Sequence, residues 1–341
     1  MAKYKPMHLR CTLTDFERKS RVKIPSKQLK FRKFSTSNSS PNVNPWFWTG
    51  LMDAESSFSI IVCRSKTHKI GWRVQAKFQM GLHKRDLTLL LLLQQYLGGI
   101  GTIHKNSKKQ KNKVNYSIDS KKELLVLISH LEKYPLLTQK GADFILFKEV
   151  VKLMNNKAHL SIQGLNQIIN IKASMNWGLS DFLKSEFTNF APVERPIINT
   201  EIIPDPNWLA GFVTGEGNFD VKISKQSSNR IGYRVQLRFR ITQHERDLRL
   251  MEVLVKYLGS GKIYKNRGKP AFVLTIFHFS DINNLIIPFF EKNPLLGVRL
   301  FDYLDWCKVA ALMKKRSHLT LKGLKLIRTI KGGMNKGRKN K

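Results

Sequence analysis

A chain of 341 residues with 42% hydrophobic content is long enough to bury two ordinary cores. Its 60 Lys and Arg against 24 Asp and Glu give a formal charge of +36, which opposes compactness until a polyanion neutralises it, so nucleic acid is the leading partner and a membrane surface the second. No apolar run approaches the roughly 18–20 residues of a spanning helix, and the three cysteines, Cys11, Cys63 and Cys307, have neither pairing nor metal-ligand spacing, which fits a reducing compartment and does not fit a zinc site.

In chain order, residues 1–42 form a basic, Ser-containing leader with 11 Lys/Arg against Asp15 and Glu17. It reads as a transit peptide, a translated upstream remnant or a disordered nucleic-acid arm. Abundant Lys, Asn, Ile and Phe suggest AT-rich coding, as in organelle genomes, and place the protein in the mitochondrion. Asn44-Pro45-Trp46 sets a capping side chain before a proline at the first helical position and opens a helix to about Glu55. Alternation follows: Phe58, Ile60 and Val62 point one way, Ser57, Ser59, Ile61 and Cys63 the other. In the next strand Arg73, Gln75, Lys77 and Gln79 alternate with Val74, Ala76, Phe78 and Met80. Leu87–Leu93 is amphipathic rather than membrane-spanning. Val114–Ile118 reads as a strand, and Ser120-x-x-Glu123 after it as a capping box. Residues 177–204, with Pro192, Pro196 and Pro204, read as a linker.

The chain then repeats itself. WTGLMDAES at 48–56 matches LAGFVTGEG at 209–217, and Gly71-Trp72-Arg73-Val74-Gln75 matches Gly232-Tyr233-Arg234-Val235-Gln236, both at a spacing of 161. Pro135-Leu136-Leu137, His159-Leu160 and Met175-Asn176 recur 159 residues on. A period this long is two fused copies of one domain, residues 43–176 and 205–336, followed by a basic tail at 337–341. Asp205-Pro206-Asn207 opens the second motif helix, which ends at Glu216. Its strands alternate Asn218, Asp220, Lys222 and Ser224 with Phe219, Val221 and Ile223, and Arg234, Gln236, Arg238 and Arg240 with Val235, Leu237, Phe239 and Ile241.

Gly50 and Ala54 lie on one helical face, as do Gly211 and Gly215, so the two motif helices can pack closely along a pseudo-two-fold axis. Glu55 and Glu216 then stand side by side at C-terminal helix ends of partial negative charge. Two carboxylates there repel unless a cation lies between them, and Mg²⁺, an oxygen-seeking ion commonly held by one or two carboxylates plus phosphate, suits the position and the hydrolysis of a phosphodiester. The polar sheet faces supply the duplex surface: Ser59, Arg73, Gln75, Lys77 and Gln79 in the first copy, Lys222, Ser224, Arg234, Gln236, Arg238 and Arg240 in the second. Arg suits guanine, Gln suits adenine, and a β-ribbon enters the major groove. Ile61 and Cys63 are apolar departures on that face. His159 and His318 read as core or helix-start residues.

These residues resemble the LAGLIDADG homing endonucleases of the single-chain, two-motif type found in fungal mitochondrial introns. The resemblance rests on the duplicated motif, the 232–248 region and the ending HLTLKG…IKGGMNKGR, and spans about residues 43–338. It implies an α+β fold of two pseudo-symmetric αββαββα domains whose antiparallel sheets form a saddle over DNA. It also implies a monomer that cuts both strands of a long asymmetric site and so promotes intron homing, with two or three Mg²⁺ near Glu55 and Glu216. Gln243 matches a polar residue that organises active-site water, its first-half counterpart being Leu82. Lys122 falls where the family often has a basic residue near the scissile phosphates, with Lys121 an equal candidate. A solvated polar residue and a charged helix start are the plain readings of these positions. Ser56 replaces the motif's final Gly, and a positive φ there would strain the helix exit. Two other functions remain open on sequence alone: an intron RNA maturase, with or without cleavage, and a non-catalytic basic binding protein, the latter disfavoured by retention of both acids.

Overall fold

The computed structural model describes residues 43–105 and 112–338; the leader at 1–42 and residues 339–341 of the tail lie outside the described residues. Each half builds the same order of elements. The first runs α1 (Pro45–Glu55), β1 (Ser56–Arg64), β2 (Trp72–His83), α2 (Leu87–Tyr96), β3 (Thr102–Lys105), β4 (Lys113–Ile118) and α3 (Lys121–Lys133), followed by two further helices, α4 (Lys140–Asn155) and α5 (Ile162–Ala173). After a short α6 (Asp181–Glu186), the second half repeats this as α7 (Pro206–Glu216), β5 (Gly217–Lys225), β6 (Tyr233–His244), α8 (Leu248–Leu258), β7 (Lys262–Lys265) and β8 (Ala271–Ile276). The helical stretch that follows is broken into α9 (Phe279–Asp281), a π-helical turn at Ile282–Ile286 and α10 (Ile287–Lys292). It leads to α11 (Gly297–Lys314) and α12 (Leu321–Gly332). No described helix is long and apolar enough to cross a membrane.

The strands form two antiparallel four-stranded sheets of order β1-β2-β4-β3 and β5-β6-β8-β7. Period-two patterning decides which face is buried. Val74, Ala76, Phe78 and Met80 turn inward, as do Val235, Leu237, Phe239 and Ile241, while the Arg, Lys and Gln residues between them remain accessible. Helices cover the inner faces and leave the polar faces open.

Local chemistry sets the ends of α1 and α7. Asn44 Oδ1 accepts from the Trp46 amide at 2.9 Å and Asp205 Oδ1 from the Asn207 amide at 2.7 Å, with proline at the first helical position of both. Ser56 (φ −96°) and Gly217 (φ −68°) are both extended, so each helix passes directly into a strand. No positive φ is needed at the motif's last residue, and the expected strain at Ser56 is absent; its hydroxyl donates to Met52 O at 2.6 Å.

Two other local expectations are corrected. The Ser120–Glu123 capping box does not form: Ser120 makes no capping bond, and Glu123 accepts instead from the Gly101 amide at 3.3 Å. The stretch read as a linker is built into the structure. Leu179 and Leu183 join the first core, Ile203 joins the second, and Phe187 packs on Trp72 at 4.9 Å between ring centroids.

The halves also brace each other. Asp247 accepts from the Gln139 amide at the start of α4 (2.7 Å), and Asp86 accepts from the Val298 amide at the start of α11 (2.7 Å). Each half thus caps a helix of the other, an arrangement that relieves unpaired helix-terminal donors. Asp143 and Asp302 are a second equivalent pair, but their guanidinium partners come from different places: Arg195 of the former linker stretch and Arg338 near the tail.

Candidate active site

The close crossing of α1 and α7 creates the site. A Cβ at Gly50 would lie 1.9 Å from Trp208 O, and one at Gly211 would lie 1.9 Å from Phe47 O. Backbone therefore meets backbone where a larger residue would hold the helices apart. One turn further, a Cβ at Gly215 would stand 2.5 Å from Ala54 Cβ and 2.9 Å from Glu55 Cγ. All four expected interface residues are at this crossing, and Glu55 and Glu216 emerge from it as neighbours, both half-buried.

Burial raises the pKa of both acids. Glu216 is pushed up to about 7, first by desolvation and then by the charge of Glu55; Glu55 rises through desolvation. Lys140 and Arg299 oppose the rise at both acids. These two cations were not singled out in the sequence, although they occupy equivalent positions 159 residues apart, directly after the repeated Pro-Leu-Leu segments. Lys140 Nζ donates to Met52 O at 3.0 Å and Asp53 O at 2.7 Å, and Arg299 Nη2 donates to Gly215 O at 3.2 Å. Each cation thus neutralises carbonyls at the C-terminal end of a motif helix, where the helix dipole is negative. Burial lowers the pKa of Lys140, while Asp53, Glu216 and Glu55 counter that shift.

Asp53 holds this arrangement in place. Its buried carboxylate accepts from the Leu137 amide (2.8 Å), the Thr138 amide (3.1 Å), the Thr138 hydroxyl (2.6 Å) and Trp208 Nε1 (2.8 Å). The bonds fix the loop that launches α4 and hence Lys140. In the second half the equivalent residue is Thr214, whose hydroxyl bonds Ala210 O at 2.8 Å. The motif's inner acid is therefore structural, and only in the first half.

Gln243 lies on the inner side of β6 near its end and hydrogen-bonds Glu216. Its counterpart Leu82 is buried among apolar neighbours. Lys121 and Lys122 are displaced from the acids. Adjacent Asp119 accepts from Gln75 at 3.0 Å, and Gln75 pairs with Ile61, six residues along the sheet from Glu55. At about 3.3 Å per residue that is on the order of 20 Å. Lys121 acts instead on His159. The β4 lysine whose charge reaches Glu55 is Lys113, at the opposite end of that strand.

Among the described residues no group of three or more His, Cys, Asp or Glu is placed to hold a metal ion by itself. The donors at the crossing are carboxylate oxygens, which suit a hard divalent cation that keeps water and phosphate among its ligands, and burial raises the pKa of both acids, a penalty on their charged forms that a bound cation would relieve. The residues present fit Mg²⁺ or Ca²⁺.

On the open faces the structure places Ser59, Arg73, Gln75, Lys77 and Gln79 on β1 and β2, and Lys222, Ser224, Arg234, Gln236, Arg238 and Arg240 on β5 and β6, each set on one side of its sheet. Ile61 is 37% exposed among the first set. The faces are less uniformly basic than expected: Asp119 engages Gln75, and Asp220 engages Arg238 and Arg240.

The chain matches the model of the LAGLIDADG endonuclease family over residues 48–151 and 209–310. It is 58% identical over 341 aligned positions to "Probable intron-encoded endonuclease 3" of Neurospora crassa, the match covering 96% of this chain and 63% of that relative's length. A Podospora anserina protein described by its place in ND4 intron 1 is 40% identical over 121 positions, 35% of this chain and 26% of its own. Among solved structures, the I-SmaMI LAGLIDADG homing endonuclease bound to cleaved DNA superposes with a TM-score of 0.85 at 44% identity, covering 87% of this chain and 98% of that one. I-SmaMI has also been solved on uncleaved target in the presence of calcium ions. It has been solved, too, as a double lysine-to-alanine mutant.

Proposed function

The chain belongs to the LAGLIDADG endonuclease family, and from that premise we propose that it is a site-specific endonuclease that hydrolyses both strands of a long, asymmetric DNA duplex and so promotes homing of the intron that encodes it. The observation that carries this reading is the juxtaposition of Glu55 and Glu216 at the α1–α7 crossing, between two open sheet faces that present Arg, Lys and Gln. One chain contains both acids, so a monomer suffices.

Glu55 and Glu216 would hold two or three divalent ions, Mg²⁺ in the cell. When bound, such ions supply Lewis acidity, lowering the pKa of water and stabilising charge on phosphate oxygens. The protein groups do the rest. The tight helix crossing fixes the separation of the acids. Lys140 and Arg299 offset their charge and add positive potential for the backbone phosphates. Gln243, bonded to Glu216, orients water in the second half, while Leu82 leaves the first half without that group. The two strands should therefore be cut at unequal rates. The relatives' names point to introns of mitochondrial genes, and we place the protein in that organelle.

The test is a cleavage-site selection. Purified full-length chain is incubated with a randomised duplex library, or with the intronless allele of its host gene, in Mg²⁺, Ca²⁺ or EDTA. A discrete double-strand cut in Mg²⁺ alone supports the reading. Tight binding without cutting would leave a degenerate nuclease, and no duplex preference would overturn it in favour of intron RNA as ligand.

A further inference from the structure

The outer face of the second sheet carries an acid that its bases converge on. Asp220 of β5 stands opposite Arg238 of β6. Its Oδ2 accepts from Arg238 Nε at 2.8 Å and from Arg238 Nη2, and lies 3.7 Å from Arg240 Nη2. Arg240 Nη2 donates in turn to Asn218 Oδ1 at 3.1 Å. The Arg238 and Asp220 side chains are only 26% and 21% exposed, so the pair is a fixed unit and not a fluctuating surface contact. Asp220 Oδ1 and Arg238 Nη1 make no hydrogen bond among the described residues. The equivalent positions in the first half, 161 residues earlier, are Ser59 and Lys77, so that sheet lacks the pair.

A carboxylate beside an arginine that merely grips phosphate works against binding, because it repels the same backbone. A base edge is different. In the major groove a G·C pair presents two acceptors on guanine, N7 and O6, and one donor, cytosine N4. Arg238, held to Asp220 through its Nε and one Nη2 proton, keeps its Nη1/Nη2 edge for two acceptors. Asp220 keeps Oδ1 for one donor. The two side chains together present the complement of a G·C pair. An A·T pair, with its donor between two acceptors, does not match them, and neither does phosphate, which has acceptors alone.

We propose that Asp220 and Arg238 form a composite reader of one G·C base pair in the half of the target bound by the second sheet, with Arg238 donating to guanine and Asp220 accepting from cytosine N4 while holding the guanidinium in one rotamer. Because it rests on the duplex-binding reading above, the experiment measures binding apart from cutting. Full-length wild type, Asp220→Asn, Asp220→Ser and Arg238→Ala are each profiled in Ca²⁺ by selection from a randomised duplex library, with cleavage in Mg²⁺ scored separately. Wild type should favour G·C in one orientation at one position by roughly tenfold or more. In Asp220→Asn and Asp220→Ser the preference at that position should fall to about threefold or less. Other positions should be unchanged, and affinity for unrelated duplex should rise as a negative charge is lost. Asp220→Asn in an Arg238→Ala background should change the preference at that position less than it does in wild type. Equal profiles for wild type and both Asp220 variants would overturn the proposal, as would a uniform loss at all positions in variants whose melting matches wild type. A wild type that binds selectively and never cuts would refute the endonuclease reading and leave this one standing.

Discussion

Gly211→Ala tests the geometry on which the site depends. A methyl group there would sit 1.9 Å from Phe47 O, whereas carbon and carbonyl oxygen come no closer than about 3.3 Å. The shortfall, about 1.4 Å, must be met by parting α1 from α7, because both atoms belong to helix backbone. Overpacking of this kind costs typically 1–3 kcal/mol or more, and the gain in helix propensity from Gly to Ala returns about 1 kcal/mol. With a backbone carbonyl in the way the cost falls at the upper end, about 3 kcal/mol, and the expected net loss is about 2 kcal/mol, read from urea denaturation. The functional loss should be larger: Glu216 lies five residues beyond Gly211 on the same helix, and a displacement of about 1 Å at a catalytic constellation costs on the order of 100-fold in rate. Single-turnover cleavage of the selected target measures that loss. Gly332→Ala is the control, since nothing lies within 4 Å of its added Cβ, and it should be neutral or slightly stabilising. A Gly211→Ala protein with wild-type stability and wild-type cleavage would refute the close-crossing account.

Three further outcomes follow from the same neighbourhood. Glu216 has a folded pKa of about 7 against an ordinary value of 4.5, so the folded state binds the extra proton between those limits. This group's contribution to the stability of metal-free protein should fall as pH rises from about 4.5 to 7, a trend that thermal melts in EDTA should find removed in Glu216→Gln. Asp53→Ala would strand the Leu137 and Thr138 amides and Trp208 Nε1 in the interior, at about 1–3 kcal/mol each, and should cost about 3–5 kcal/mol in denaturant titrations. Lys140→Met should leave duplex affinity within a few-fold, slow cleavage by at least tenfold, and raise the apparent pKa of the pH–rate profile, because a cation that lowers the pKa of both acids is lost. An unshifted profile would show that Lys140 does not act on them.

Features set by adjacent residues were legible in the sequence. Asn44-Pro45 and Asp205-Pro206 fix the start of α1 and α7 through bonds only two residues long. Alternation over Arg73–Met80 and Arg234–Ile241 assigns the sheet faces because one side must be buried. Matched small residues at 161 spacing gave the crossing. Features set by tertiary reach were not legible. Lys140 and Arg299 belong to the site only because α4 and α11 begin beside the motif helices, and the visible clue was a basic residue retained after both Pro-Leu-Leu segments. Lys121 and Lys122 follow β4, whose far end lies away from the acids, whereas Lys113 at its start is nearer to them. Glu123 left its expected cap because the Gly101 amide competed for it. The proline-rich stretch concealed Leu179 and Leu183, whose burial ties α6 to the first core.

The central claim is that Glu55 and Glu216 together form one metal-dependent site. The most direct measurement is cleavage of each strand of the selected target by wild type, Glu55→Gln and Glu216→Gln in Mg²⁺, alongside binding of the same duplex in Ca²⁺. The account predicts that either substitution abolishes double-strand cutting while affinity stays within a few-fold of wild type. Full double-strand cutting by either variant would contradict it.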